Sequence, residues 1–86
     1  MMEELLNKVI VVDVVSPYVF VGTLVTCSEK TLTLSNADVH DLRDSNTTRE
    51  RYLLDSRRDG VRANRHRVFV QQCQIVSISE LDDIIE

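Results

Sequence analysis

The sequence predicts a mostly β protein: a short N-terminal helix followed by five antiparallel strands in one strongly bent, barrel-like sheet. Three observations carry that expectation. The chain is 43% hydrophobic but has only two Phe, two Tyr and no Trp, so its core must be built largely from Val, Ile and Leu, which favour strands. Apolar residues recur with a period of two in several short runs, which sets them on one face of a strand. A lone glycine, Gly22, falls in the middle of a long run, where glycine marks a bulge, a sharp bend or a close backbone approach. A chain of 86 residues makes one small domain, 1–86, with little stability to spare, so association with further copies would help it.

Taken in order, Glu3 to Lys8 reads as a short helical turn with Leu5 and Leu6 on its apolar side, ended by Asn7-Lys8. Val9 to Val15 is β-branched or aliphatic except for Asp13, the pattern of a strand covered on both faces. Ser16-Pro17 is a turn, because proline fixes φ and biases the residue before it away from helix. Tyr18 to Cys27 is a second strand, and a bend at Gly22 lets one strand serve two parts of a curled sheet. Ser28-Glu29-Lys30 forms a hairpin loop into a third strand, where Leu32 and Leu34 point inward and Thr31, Thr33 and Ser35 outward; it can run on to Val39 or Leu42.

Residues 43–60 form an insert before the fourth strand, with two readings. Thr47-Thr48-Arg49-Glu50 has capping-box spacing and Gly60 can close a helix reaching about Arg58. Its apolar residues, Tyr52, Leu53 and Leu54, are few and bunched, and a long hairpin turning at Asp59-Gly60, or an extended or disordered arm, is the alternative. From Val61 a strand begins polar and becomes apolar. Val68 and Val70 on one side of Gln71-Gln72-Cys73-Gln74, with Val76 and Ile78 on the other, read as a tight hairpin. Ser79-Glu80-Leu81-Asp82 can cap a last turn that tucks in Leu81, Ile84 and Ile85.

Charge is unevenly placed. All eight arginines lie between Arg43 and Arg67 against four acids, whereas the rest of the chain sets Lys8 and Lys30 against ten. Arg57, Arg58, Arg62, Arg65 and Arg67 can line one face and attract phosphates, or pair with acids of the same or a neighbouring chain such as Asp38, Asp41, Glu80, Asp82 and Asp83. Cys27 and Cys73 lack metal-ligand spacing and read as small packing residues. Asp38-Val39-His40-Asp41 places only two ligands on one face of a strand, too few for a metal site. His66, between two arginines, has its charged form disfavoured and reads as a solvated strand residue. No nucleophile constellation or glycine-rich phosphate loop is present, so no enzyme and no cofactor are expected. An acidic N-terminus and no long apolar segment point to a soluble, cytoplasmic protein without a membrane partner.

This order of elements resembles the Sm-like family, which includes the Sm and LSm proteins, their archaeal relatives and bacterial Hfq. Val9 to Val15 with Gly22-Thr23-Leu24 is similar to the family's first motif, and Phe69 to Ile78 to its second. The resemblance spans roughly residues 3–42 and 61–81. It implies a bent five-stranded barrel of SH3-like appearance that forms a homo-oligomeric ring, the fourth strand of one subunit pairing with the fifth of the next, and it implies single-stranded RNA as a partner. Pairing every open edge also removes an aggregation hazard.

At the family's uridine-contacting positions this sequence carries Ser28 and Thr31 in the loop after the second strand, with Lys30 where a base-stacking side chain is presented, and Gln71-Gln72 in place of Arg-Gly. A permanent cation and a flexible backbone position are thereby exchanged for two amides. The residues expected to contact RNA are Ser28, Lys30, Thr31, Gln71, Gln72 and Gln74 on a polar rim, with Arg62 and Arg65 from the arginine segment. The competing expectation is a protein-interaction module that kept the barrel and lost RNA binding.

Overall fold

The computed structural model describes residues 2–44 and 46–86. Strands β1 (Val9–Val14), β2 (Tyr18–Cys27), β3 (Thr31–Asp41), β4 (Arg65–Gln71) and β5 (Ile75–Glu80) form one antiparallel sheet in the order β4-β3-β2-β1-β5. Helix α1 (Arg49–Asp59) is inserted between β3 and β4. The expected N-terminal helix is only a 3-10 turn, Glu3–Leu5, which sets Met2 and Leu5 on the core. Asn7 follows at φ 67°, a left-handed conformation that Asn adopts more readily than most residues.

Two cores meet on β1. Ile10, Val12 and Val14 face one side with Leu24, Leu32, Leu34, Ala37 and Val70, so the sheet curls around them. Val11 faces the other side with Val19, Val21, Leu53 and Leu81. This second core is why β1 is apolar on both faces from Ile10 to Val12: the inner face is covered by the sheet and the outer face by α1 and the C-terminal turn.

The bend lies where β2 crosses β3. The register passes from Val21↔Asp38 to Thr23↔Ser35, leaving Gly22 against both Asn36 and Ala37. Asn36 takes φ 47°, the left-handed residue of the bulge. A Cβ on Gly22 would lie 2.8 Å from Ala37 Cβ and 3.0 Å from its Cα, so glycine is required here by the close approach of two backbones. Thr33, expected outward, is 8% exposed because Thr26 and Phe69 flank it in the ladder.

The helical reading of residues 43–60 is the correct one, with one shift. Thr48, not Thr47, is the N-cap: its Oγ1 accepts from Arg51 N at 3.2 Å, and Gly60 closes the helix at φ 95°. Only Leu53 and Ser56 of α1 are buried, so the helix is held by its surroundings rather than by a stripe of its own. Arg49 Nη1 sits 3.1 Å from Asp13 Oδ1, while Asp13 Oδ2 accepts from Ser77 Oγ at 3.0 Å. Arg57 Nη1 donates to the Ile84 carbonyl at 2.8 Å. At the head of the insert, Arg43 makes a two-pronged bond to Asp41 and holds that half-buried carboxyl down to about 2.

The last two strands are not a hairpin. β4 pairs with β3 (Thr31↔Gln71 to Ala37↔Arg65) and β5 with β1, while a 3-10 turn, Gln72–Gln74, carries the chain between opposite edges of the sheet. The face assignment on β5 also differs. A bulge takes the pairing from Asp13↔Ser77 to Val14↔Ile75, so Ile75 and Ile78 pack on the inner core while Val76 is 68% exposed. The final turn, Leu81–Asp83, buries Leu81 against the α1 side as expected, but Ile85 is 87% exposed.

The sheet therefore has two edges, the outer sides of β4 and β5. Beyond β4, Asn64 extends the ladder with its side chain, accepting from Val39 N at 3.0 Å and donating to the Val39 carbonyl at 3.1 Å. Among the described residues no helix is long and apolar enough to cross a membrane.

Candidate nucleic-acid interface

The register of β3 and β4 brings two connections side by side at one end of the sheet: the loop Ser28-Glu29-Lys30 and the turn Gln72–Gln74. Thr31 lies opposite Gln71, and Gln72 N donates to the Lys30 carbonyl at 2.8 Å. The loop is also braced internally. Ser28 N donates to the Thr31 carbonyl at 2.9 Å, Thr31 N donates to Ser28 Oγ at 3.2 Å, and the two hydroxyls are 3.2 Å apart.

Gln72 ties the two connections together. Its Nε2 donates to the Ser28 carbonyl and lies 3.4 Å from Cys27 Sγ. A glycine at this position could make no such strap. The Gln72 side chain thus clasps the β4–β5 turn to the β2–β3 loop.

Of the residues expected to meet RNA, Ser28, Lys30, Thr31, Gln71 and Gln72 are brought together here. They differ in what they have left to offer. Ser28, Thr31 and the Gln72 amide nitrogen are engaged within the rim, whereas Lys30 and Gln71 are exposed and their side chains have no partner among the described residues. Gln74 belongs to a neighbouring surface. With Gln71 it borders a shallow cavity of ≈ 220 Å³ along the seam between β4 and β1, whose apolar wall includes Phe20, Phe69 and Val70. Phe69 is 57% exposed, on the opposite face of β4 from Val68 and Val70, and was not among the residues expected at the site.

Arg62 and Arg65 are elsewhere. Arg65 is six positions from Gln71 on the same strand, roughly 20 Å at the usual rise per residue. Arg62 borders a cleft of ≈ 360 Å³ between α1 and β3 in the company of Asp38, Asp55 and Asp59. The Asp59 carboxyl is held below its usual range chiefly by Arg58, with a smaller pull from Arg62. An arginine facing three carboxylates is poorly placed to recruit phosphate.

The remaining arginines are largely spent within the chain, on Asp41, Asp13, Asp55, Asp59 and the Ile84 carbonyl. Asp38 and His40 do share a face, as their spacing requires, and both are turned to Tyr52. Tyr52 Oη donates to Asp38 Oδ2 at 2.6 Å, and the His40 and Tyr52 rings stack with centroids 3.9 Å apart. Burial, then the bond to Asp38, raises the Tyr52 hydroxyl well above its usual range. This trio fixes α1 to β3; no sequence signal links Tyr52 to residues so far upstream.

No family model and no curated protein sequence matches the chain. Its fold does match solved structures. One is the Sm protein of Pyrococcus abyssii in complex with a uridine heptamer, with a TM-score of 0.63 over 92% of this chain and 90% of that one, at 16% sequence identity. The bent five-stranded antiparallel sheet of this chain is an Sm-like fold, carried by a sequence far diverged from that neighbour.

Proposed function

We propose that the chain is a non-catalytic, RNA-associated Sm-like subunit that joins copies of itself edge to edge and touches single-stranded RNA through the rim formed by the β2–β3 loop and the β4–β5 turn. The observation that carries this reading is the strap from Gln72 to the Ser28 carbonyl, which locks the two connections into one surface and leaves Lys30 and Gln71 free on it. The fold is shared with a protein whose structure holds a uridine heptamer. Neutral amides and hydroxyls read base edges by hydrogen bonds, and Lys30 adds one cation per copy. Such a rim is weak alone and gains strength by repetition around an assembly.

The test is fluorescence polarisation with labelled oligo-U, oligo-A and mixed-sequence RNA. Binding is expected to weaken by roughly 2- to 10-fold on Lys30→Ala or Gln71→Ala, the range of one lost hydrogen-bonded contact. The slope of log affinity against log salt should be shallow, about −0.7 for each neutralised phosphate. Binding that ignores both substitutions would remove the rim from the account. No binding to any RNA would instead support the second reading, an assembly module; the spending of the Ser28 and Thr31 hydroxyls on each other is the observation that favours it.

A further inference from the structure

We infer that the basic first half of β4 grips the acidic turn after β5 of a second copy of this chain, so that Arg65 and Arg67 are subunit-contact residues and not part of the RNA surface. The inference rests on the edge-to-edge assembly proposed above and adds what selects its partner and orientation.

The two free edges are matched in both hydropathy and charge. On β4 the core-facing residues are Val68 and Val70; on β5 they are Ile75 and Ile78, the bulge at Val76 having removed the simple alternation. Of these four only Val70 is fully buried, so three are left partly covered at an open seam. An antiparallel pairing that keeps core faces together sets Val70 beside Ile75 and Val68 beside Ile78. Phe69 then meets the exposed Val76, the two most exposed apolar residues of the edges. The same register carries Arg67 and Arg65 to the far end of β5, beside Ser79 to Leu81 and next to Asp82 and Asp83. A parallel pairing would set Arg65 against the apolar start of β5 and Gln71 against Glu80, opposing both patterns.

The charges involved are unspent. Arg65 donates to the carbonyl of its neighbour Asn64 at 3.1 Å, and the Arg67 guanidinium lies 5.4 Å from the Phe69 ring centroid. Neither has an acidic partner among the described residues, and the exposed Asp82 and Asp83 have no basic one. Glu80 is already held by Lys8 at 3.5 Å, which leaves the two aspartates as the receiving pair. Opposite charges confined to opposite edges favour head-to-tail contact between identical chains and disfavour like edges meeting.

Light scattering coupled to size exclusion on the full chain tests this, from about 0.1 M to about 1 M NaCl, a range over which the screening length falls from about 10 Å to about 3 Å. The wild type is expected to assemble at low salt with an apparent dissociation constant at least about tenfold weaker at high salt. The Arg65→Glu/Arg67→Glu chain and the Asp82→Lys/Asp83→Lys chain should each be monomeric, and an equimolar mixture should regain assembly, which also shows that both variants fold. Assembled variants with unchanged salt dependence would overturn the inference while leaving the assembly reading intact. A wild type that is monomeric throughout would overturn both. Loss of RNA binding in the arginine variant with no change in mass would return Arg65 and Arg67 to the RNA surface and refute their assignment here.

Discussion

Replacing Leu53 by Ala is expected to destabilise the protein by about 2–5 kcal/mol, the range for deleting a buried leucine side chain whose site cannot collapse. Leu53 is 3% exposed and is the one fully buried apolar residue of α1, seated on Val11, Val19, Val21 and Leu81. An isolated helix of 11 residues is marginal in water, so the contact that seats it also decides whether it forms. The loss should therefore show as lower helicity together with a lower midpoint in urea. Its neighbour Leu54, half-buried and outside both cores, serves as control and should cost less than about 1 kcal/mol on the same change. Equal losses at both positions would mean that α1 is not held by the outer core.

Gly22→Ala should cost about 1–3 kcal/mol, the range for overpacking a well-packed site. The reason is contact rather than backbone dihedral: the new methyl would lie 2.8 Å from Ala37 Cβ, 3.0 Å from Ala37 Cα and 3.2 Å from the Ser35 carbonyl oxygen. Two of those atoms are backbone, so the neighbours cannot turn away. Ala37→Gly removes only the nearest, and the double substitution should recover part of the loss, a favourable coupling measurable in a double-mutant cycle of urea midpoints. Strictly additive losses would show that the strands separate at the bend and do not clash there.

The first three strands were legible because their stability is local in pattern. Val9 to Val15 announces a strand covered on both faces, Leu32 and Leu34 alternate, and Gly22 marks the bend. What could not be read was what covers that second face. The apolar residues of α1 are bunched at Tyr52-Leu53-Leu54 because only one needs to be buried, and the rest of its anchorage is polar and remote: Arg49 to Asp13, Tyr52 to Asp38, Arg57 to the Ile84 carbonyl. The final hairpin was misread for a related reason. Period and turn length are local, but the partners of β4 and β5 are β3 and β1, and a single bulged residue, Val76, reverses the faces without leaving a mark in composition. The rim residues were nameable through the family resemblance, yet neither the Gln72 strap nor the separation of Arg62 and Arg65 from that rim follows from residue types.

In the assembly proposed above, the outer edges of β4 and β5 are satisfied by further copies of the chain. Site-resolved amide hydrogen exchange at an assembling concentration tests it most directly. With both edges paired, every amide of Arg65–Gln71 and Ile75–Glu80 is expected to exchange slowly, including those that point away from the sheet, at rates like those of β1 and β2. Fast exchange of alternate amides along both strands, with β1 to β3 still protected, would contradict it.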